Sequence, residues 1–279
     1  MYIAYLIALL LKELLPFRIS KWIARRVADL WYVVFAERRR AVVANLSLLG
    51  DCDRKKIKRL SKKLMRNFSE VVTEFLYMDK MSIDNLRELV DFDSIAPIVR
   101  EISRTPSILI TGHIGNWELA AGLLSRLGAN LWVVVFEHPD KKIAKIFRSK
   151  REKMGLKVIS TQEAGKRLRE IARNSSVGIV ADRDYSGLGM EARIFSQTVA
   201  MPSGYATLAT SEGIAVYCGF LVKCGDAKYR LLDLEKIYDP CESTKPAEIV
   251  QRFASKLERI IAVYPEQWYL FERIAEIRR

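Results

Sequence analysis

Ser107-Ile-Leu-Ile-Thr-Gly-His113-Ile-Gly-Asn-Trp-Glu118-Leu-Ala-Ala-Gly-Leu-Leu124 is the stretch from which the fold of this chain is read. Ile108 to Thr111 is a short apolar run with β-branched residues, the pattern of a buried strand. It breaks at Gly112-His113-Ile114-Gly115, and a helical pattern opens at Asn116, a residue type that caps helix starts well. His113 therefore falls where the strand ends, and Glu118 in the first turn of the next helix. In open α/β sheets ligands bind beyond the carboxyl ends of strands. A histidine and a carboxylate five positions apart, folded across a glycine-lined turn, suit general-base chemistry. Glu118 would keep one imidazole nitrogen protonated while the other takes a proton from a substrate hydroxyl. His-x4-Glu alone is a weak motif, since a turn histidine and a helix-start glutamate give the same spacing.

The 279 residues suffice for one large domain or two small ones, and with half of them hydrophobic the chain is not a disordered one. Lysine and arginine number 46 against 33 acidic residues, a net charge of +13, which suits an anionic partner such as a membrane surface, an acidic protein or a phosphorylated ligand. The basic residues are spread over several helices without a nucleic-acid-binding motif, so nucleic acid is not expected as a partner. Cys52, Cys218, Cys224 and Cys241 contain no C-x-x-C pair, and with His113 and His138 as the two histidines no metal site is expected.

Met1 to Leu11 is an uncharged apolar run, shorter than the roughly 20 residues a membrane span needs. Phe17 to Phe35 follows helical spacing through Ile19, Trp22, Ile23, Val27, Leu30 and Val34, with Arg18, Lys21 and Arg25 on another face. Basic side chains beside a tryptophan-bearing apolar face suit a helix lying in a membrane interface. We therefore expect membrane-associated helices over 1–35, then a helical region over 36–103 and an α/β region over 104–279. In the helical region a basic cluster at Glu37–Arg40 leads into a short helix. Arg54 to Met78 carries an apolar stripe opposite Lys55, Lys56, Lys58, Arg59, Lys62 and Lys63. Beyond Ser107, strands at Leu131–Phe136, Lys157–Ile159, Val177–Ala181, Ile214–Val222 and Tyr229–Leu234 alternate with helices at Asp140–Met154, Gln162–Arg173, Ser203–Glu212 and Pro246–Tyr264. Such alternation predicts a mostly parallel central sheet with helices on both sides.

Three polar clusters lie at predicted strand ends or on adjoining helices: His113 with Glu118; Arg148, Lys150 and Arg151; and Asp182-Arg183-Asp184-Tyr185. Around them the chain resembles a known family. Thr111-Gly-His113-Ile-Gly-Asn116-Trp117-Glu118 resembles the signature of the late acyltransferases of lipid A biosynthesis, whose superfamily includes the phosphatidylinositol mannoside acyltransferases. Arg39-Arg-Ala-Val-Val-Ala-Asn45-Leu is similar to the family's R-x-x-V-x-x-N-L, and Arg151-Glu-Lys-Met-Gly155 to its R-x-x-x-G. Gly178-Ile-Val-Ala-Asp182-Arg-Asp184-Tyr185 is similar to G-x-x-x-D-x-D-Y, and Pro265-Glu-Gln-Trp268 to the closing P-E-Q-W. Five moderately specific motifs in order make the resemblance strong.

The resemblance implies a glycerolipid acyltransferase-like fold and an enzyme of the bacterial inner membrane, peripheral or monotopic on its cytoplasmic face. Such an enzyme moves a fatty acyl chain from acyl carrier protein or coenzyme A, as co-substrate, to a glycolipid hydroxyl, with no further cofactor. His113 would be the general base and Glu118 its orienting carboxylate, with Arg151, Asp182, Arg183, Asp184, Asn116 and Arg148 at the substrate. A lipid A precursor is the first acceptor implied, and a phosphatidylinositol mannoside or other glycolipid the alternative. A non-catalytic membrane-surface binder is a reading of another class, against which the intact His113/Glu118 pair speaks. The glycerol-phosphate branch usually carries asparagine before its histidine and aspartate at the fifth position after it; Gly112 and Glu118 stand there instead.

Overall fold

Residues 12–50, 53–184 and 186–274 are described by a computed structural model; the Met1 to Leu11 run, Cys52 and Tyr185 lie outside the described residues. One six-stranded sheet has the order β3-β2-β4-β1-β7-β8: β3 (Lys157–Ser160), β2 (Leu131–Val135), β4 (Ser176–Val180), β1 (Ile108–Thr111), β7 (Val216–Lys223) and β8 (Tyr229–Tyr238). Every pairing is parallel except that of β7 with β8, at one edge. The short apolar runs read from the sequence occupy these strands, because buried parallel strands lack a polar face to break their hydrophobicity.

Ten numbered helices are described: α1 (Phe17–Val34), α2 (Ala36–Leu46), α3 (Arg54–Tyr77), α4 (Ile83–Leu89), α5 (Ala96–Arg104), α6 (Trp117–Arg126), α7 (Lys141–Lys153), α8 (Thr161–Asn174), α9 (Gly204–Glu212) and α10 (Pro246–Val263). On one face of the sheet, Leu119 and Leu123 of α6 and Ile98 of α5 pack with Leu131, Val133 and Tyr217. On the other, Phe253 and Leu257 of α10 and Ala206 of α9 pack with Ile108, Val177, Val216 and Phe220. Local signals set the helix limits. Ser160 and Glu163 form a capping box on α8, Pro246 opens α10, and Gly213 ends α9 in the left-handed conformation. A hairpin of β5 (Met190–Ile194) and β6 (Gln197–Met201), absent from the sequence reading, packs against α10. Phe195 sits at its tight turn with φ +51°, so the turn lacks the glycine or asparagine that would have announced it.

A third cluster joins α1 and α2 to α3 through Tyr32, Val42, Leu46, Leu64 and Met65. Partners on α3 set how α1 is turned. Its basic stripe does not face outward as a unit. Lys21 pairs with Glu70 (3.1 Å) and Glu74 (2.7 Å) of α3, and Arg25 pairs with Glu70. Its apolar residues Ile19, Trp22, Val27, Leu30 and Val34 are exposed instead. The helix is thus turned inside out relative to an ordinary amphipathic helix on a core. No helix among the described residues is long and apolar enough to cross a membrane.

Lys223, at the end of β7, adds a third cation to Glu70 at 2.9 Å. Burial alone would raise the Glu70 carboxyl, but Lys21 and Lys223 outweigh it and hold the group down to about 2. A carboxyl depressed in the folded state stabilises above its ordinary range near 4.5, and that stability is lost as pH falls toward about 2. Glu70→Gln should therefore cost on the order of 3 kcal/mol at neutral pH. The deficit should shrink between pH 4.5 and pH 2 and vanish below it. Denaturant titrations of both proteins across that range measure the difference; a deficit independent of pH would mean the ion pairs do not carry it.

Candidate active site

The site starts from strand register. Thr111 of β1 lies opposite Val180 of β4 in a parallel pair. Two residues on, at the carboxyl ends of both strands, stand His113 and Asp182. His113 Nδ1 lies 2.6 Å from Asp182 Oδ1, and the His113 backbone N–H donates to Asp182 Oδ2 at 2.9 Å. Asp182 is therefore the carboxylate that orients the imidazole, and the assignment of that role to Glu118 is corrected. Glu118 begins a helix that turns away from the strand end and meets another partner. The Asp182 side chain is 2% exposed. Burial pushes its carboxyl up, but the His113 charge and hydrogen bonds and the Arg183 charge outweigh that and hold it below its usual value. Because the carboxylate accepts at Nδ1, that nitrogen carries the hydrogen and the lone pair stays on Nε2.

Backbone contacts hold the His113 turn. Gly115 has φ +65°, and a Cβ there would lie 2.0 Å from the Leu221 carbonyl oxygen, so glycine alone fits. Gly115 N donates to Gln267 O, Asn116 N to Leu221 O, and Tyr269 N to His113 O. The Gln267 side chain bonds both backbone groups of Lys223. The P-E-Q-W segment is thus a clamp on the turn rather than a reactive group. Asn45 of the R-x-x-V-x-x-N-L element likewise holds the Leu270, Glu272 and Ile274 backbone.

Glu118 pairs with Arg151 of α7 through two hydrogen bonds, Nε to Oε2 at 3.0 Å and Nη2 to Oε1 at 2.5 Å. The guanidinium also lies over the Phe75 and Phe147 rings. Burial works against its charge, and Glu118 more than offsets this, leaving the Arg151 pKa above its ordinary value. This pair ties α6 to α7. His113, Glu118 and Arg151 all line one groove of about 1400 Å³, larger than the roughly 300–1,000 Å³ of ordinary small-molecule sites. Small residues, Ala120, Ala121 and Gly178, and apolar ones, Leu109, Val133 and Val135, line it as well.

The remaining predicted residues separate into two groups. Arg148 and Arg183 line the groove, but both are engaged by protein: Arg148 by Glu137 and the Val158 carbonyl, Arg183 by the Tyr269 carbonyl. Asp184 also reaches the groove, though its carboxylate is spent on Ser186 and the Gly189 N–H, which shape the following loop. Asn116 is fully buried and outside the groove lining. Its Oδ1 caps α6 at Leu119 N (3.0 Å), and its Nδ2 donates to Glu74 (2.8 Å). It holds the frame of the site and does not face a substrate.

The two histidines give a direct check on these bonds. His138 Nδ1 accepts from the Asp140 N–H, so it should carry its hydrogen on Nε2, the opposite of His113. Imidazole 15N spectra of neutral protein should show one histidine of each tautomer. Asp182→Asn should disturb the His113 signal and leave His138 unchanged, whereas Glu118→Gln should move neither. A His113 signal that follows Glu118→Gln and ignores Asp182→Asn would reverse the partner assignment.

Residues 1–274 match the family described as bacterial lipid A biosynthesis acyltransferase. A phosphatidylinositol mannoside acyltransferase of Mycobacterium tuberculosis is 28% identical over 176 residues, 60% of this chain and 53% of that protein. One of Mycolicibacterium smegmatis is 25% identical over 179 residues, 60% of this chain and 55% of that protein. The chain spans about half the length of the curated relatives it matches.

Proposed function

The chain belongs to the bacterial lipid A biosynthesis acyltransferase family, and from that premise we propose that it is a membrane-associated O-acyltransferase using a thioester donor and a glycolipid hydroxyl acceptor. The observation that carries the reading is His113, paired to buried Asp182 and facing a large, mostly apolar groove. His113 Nε2 takes the proton of the acceptor hydroxyl as its oxygen attacks the thioester carbonyl. The tetrahedral intermediate then collapses, the carbon–sulfur bond breaks, and the imidazolium returns its proton to the leaving thiolate. Buried Asp182 stabilises the imidazolium in between. Arg151, held by Glu118 at the groove wall, supplies positive charge toward the oxyanion or a phosphate of either substrate. The Tyr205 hydroxyl, buried at the groove wall without a hydrogen-bond partner among the described residues, is a further donor for the headgroup or thioester.

A lipid A precursor is the acceptor that the family description favours, and acyl carrier protein or coenzyme A would carry the donor acyl chain. The names of the mycobacterial relatives favour a second reading, a phosphatidylinositol mannoside acceptor. Purified protein should transfer a radiolabelled acyl chain to one of these glycolipids. His113→Ala should fold normally and lose at least about a hundredfold in rate. Mass spectrometry of lipids from cells lacking the protein should show one glycolipid short of one acyl chain, which names acceptor and chain together. Unchanged lipids and a fully active His113→Ala protein would sink the reading.

The outward apolar face of α1 supports attachment in the membrane interface through Trp22, Leu30 and their neighbours. Trp22→Glu with Leu30→Glu should reduce cosedimentation with vesicles by at least about tenfold while the melting transition stays in place. Retention of full binding would move the attachment to another surface.

A further inference from the structure

Two carboxylates, one buried and one half-buried, connect the inside-out helix α1, with the residues before it, to the two walls of the groove. The first is Glu74 of α3, 1% exposed. Its Oε1 accepts from Lys21 of α1 at 2.7 Å, and its Oε2 accepts from Asn116 Nδ2 and the Tyr229 hydroxyl, each at 2.8 Å. Asn116 in turn caps α6, the helix whose first turn holds Glu118. The second is Asp79, in the turn that follows α3. Its Oδ1 meets Lys12, ahead of α1, and its Oδ2 meets Lys150 of α7, both at 2.7 Å. Lys150 also donates to the Leu76 carbonyl and directly precedes Arg151. Lys12, Lys150 and Asn116 are all buried.

None of Glu74, Asp79, Asn116 and Lys150 lines the groove, so none meets substrate there. Stability alone gives little reason for them: apolar packing of the same volume serves as well as or better than buried ion pairs, whereas such pairs fix register. What they place in register is specific. One link ends beside Glu118, the other beside Arg151, and the Glu118–Arg151 pair is the bond that spans α6 and α7.

We propose that Glu74 and Asp79 are positioning residues that couple the seating of α1 on lipid to the Glu118–Arg151 pair and thereby to the groove between α6 and α7. The inference rests on the acyltransferase reading for its consequence in rate, but the coupling has a readout of its own. Hydrogen exchange is followed in the full-length protein, with and without vesicles of mixed anionic and zwitterionic lipid. In the wild type, vesicles should slow exchange in peptides covering 114–121 and 148–154 by at least about fivefold. In Lys12→Met/Lys21→Met, which leaves the exposed apolar face intact, vesicle binding should persist and the slowing should be lost. Wild-type peptides that ignore vesicles, or slowing that survives in the bound double variant, would overturn the coupling whether or not the protein transfers acyl groups.

Rate supplies the second arm. Asn116→Asp keeps the helix cap but sets a carboxylate against Glu74, and should lower kcat by at least about tenfold with the KM for donor little changed. Adding Glu74→Gln restores an amide–carboxylate pair with its polarity reversed, and should return kcat to within about threefold of wild type. A single variant with wild-type kcat, a pair no better than the single, or a loss confined to KM would each overturn the positioning role. Should Asn116→Asp fail to fold, Lys150→Gln on the parallel link takes its place under the same criterion, a kcat loss of about tenfold. Absence of transfer by the wild type would count against the acyltransferase reading alone, since hydrogen exchange still decides the coupling.

Discussion

Gly115 approaches β7 so closely that no Cβ fits between it and the Leu221 carbonyl. The rest of the site depends on this approach. It lets Asn116 N reach Leu221 O, so that α6 starts immediately beyond the strand end, and it lets the Gln267–Tyr269 segment close over His113 from the other side. His113 is thus held by its own backbone at both ends before its side chain is considered. The imidazole then needs only one further bond, to Asp182, to be fixed in tautomer and direction. Turnover geometry of this kind belongs to the backbone and is set during folding, which spares the catalytic group any search for position.

Much of this frame was legible in the residues. The strand at Ile108–Thr111, its break and the Asn116 cap stand where the local pattern puts them, because turn and cap chemistry is decided within a few residues. The alternation of strands and helices likewise gives the parallel sheet. The partner of His113 was not legible, since it depends on β4 lying beside β1, a pairing between segments 69 positions apart that spacing does not encode. Glu118 was the wrong partner for the same reason that made it attractive: it is near in sequence, and sequence reading favours local contacts. Asp182 lay in a segment singled out for its charges, so the signal was present and only the pairing was missing.

The orientation of α1 shows a second limit. Helical periodicity separates an apolar stripe from a basic one, but it does not say which of the two faces the body of the protein. That choice was made by Glu70 and Glu74, which sit on the buried face of α3 and demand cations. Two acidic residues a turn apart in an otherwise apolar stripe would have been the clue. The motifs shared with the family divide in a similar way. Some carry reactive groups, while Asn45 and Gln267 hold backbone, and residue type alone does not distinguish these uses.

The inverted α1 also exchanges the usual effects of salt and detergent. A helix held on a surface by lysines is released as ionic strength rises and charges are screened. Here Lys21 lies on the inner side, paired with Glu70 and Glu74, and the outer side carries a broad apolar face, with Arg18 and Arg25 exposed beside it. Added salt screens Arg18 and Arg25, but it leaves the apolar contact in place, and strongly hydrated salts tighten it. Whatever α1 rests on, brine should leave it there, and only an amphiphile competing for Trp22 and Leu30 should lift it off.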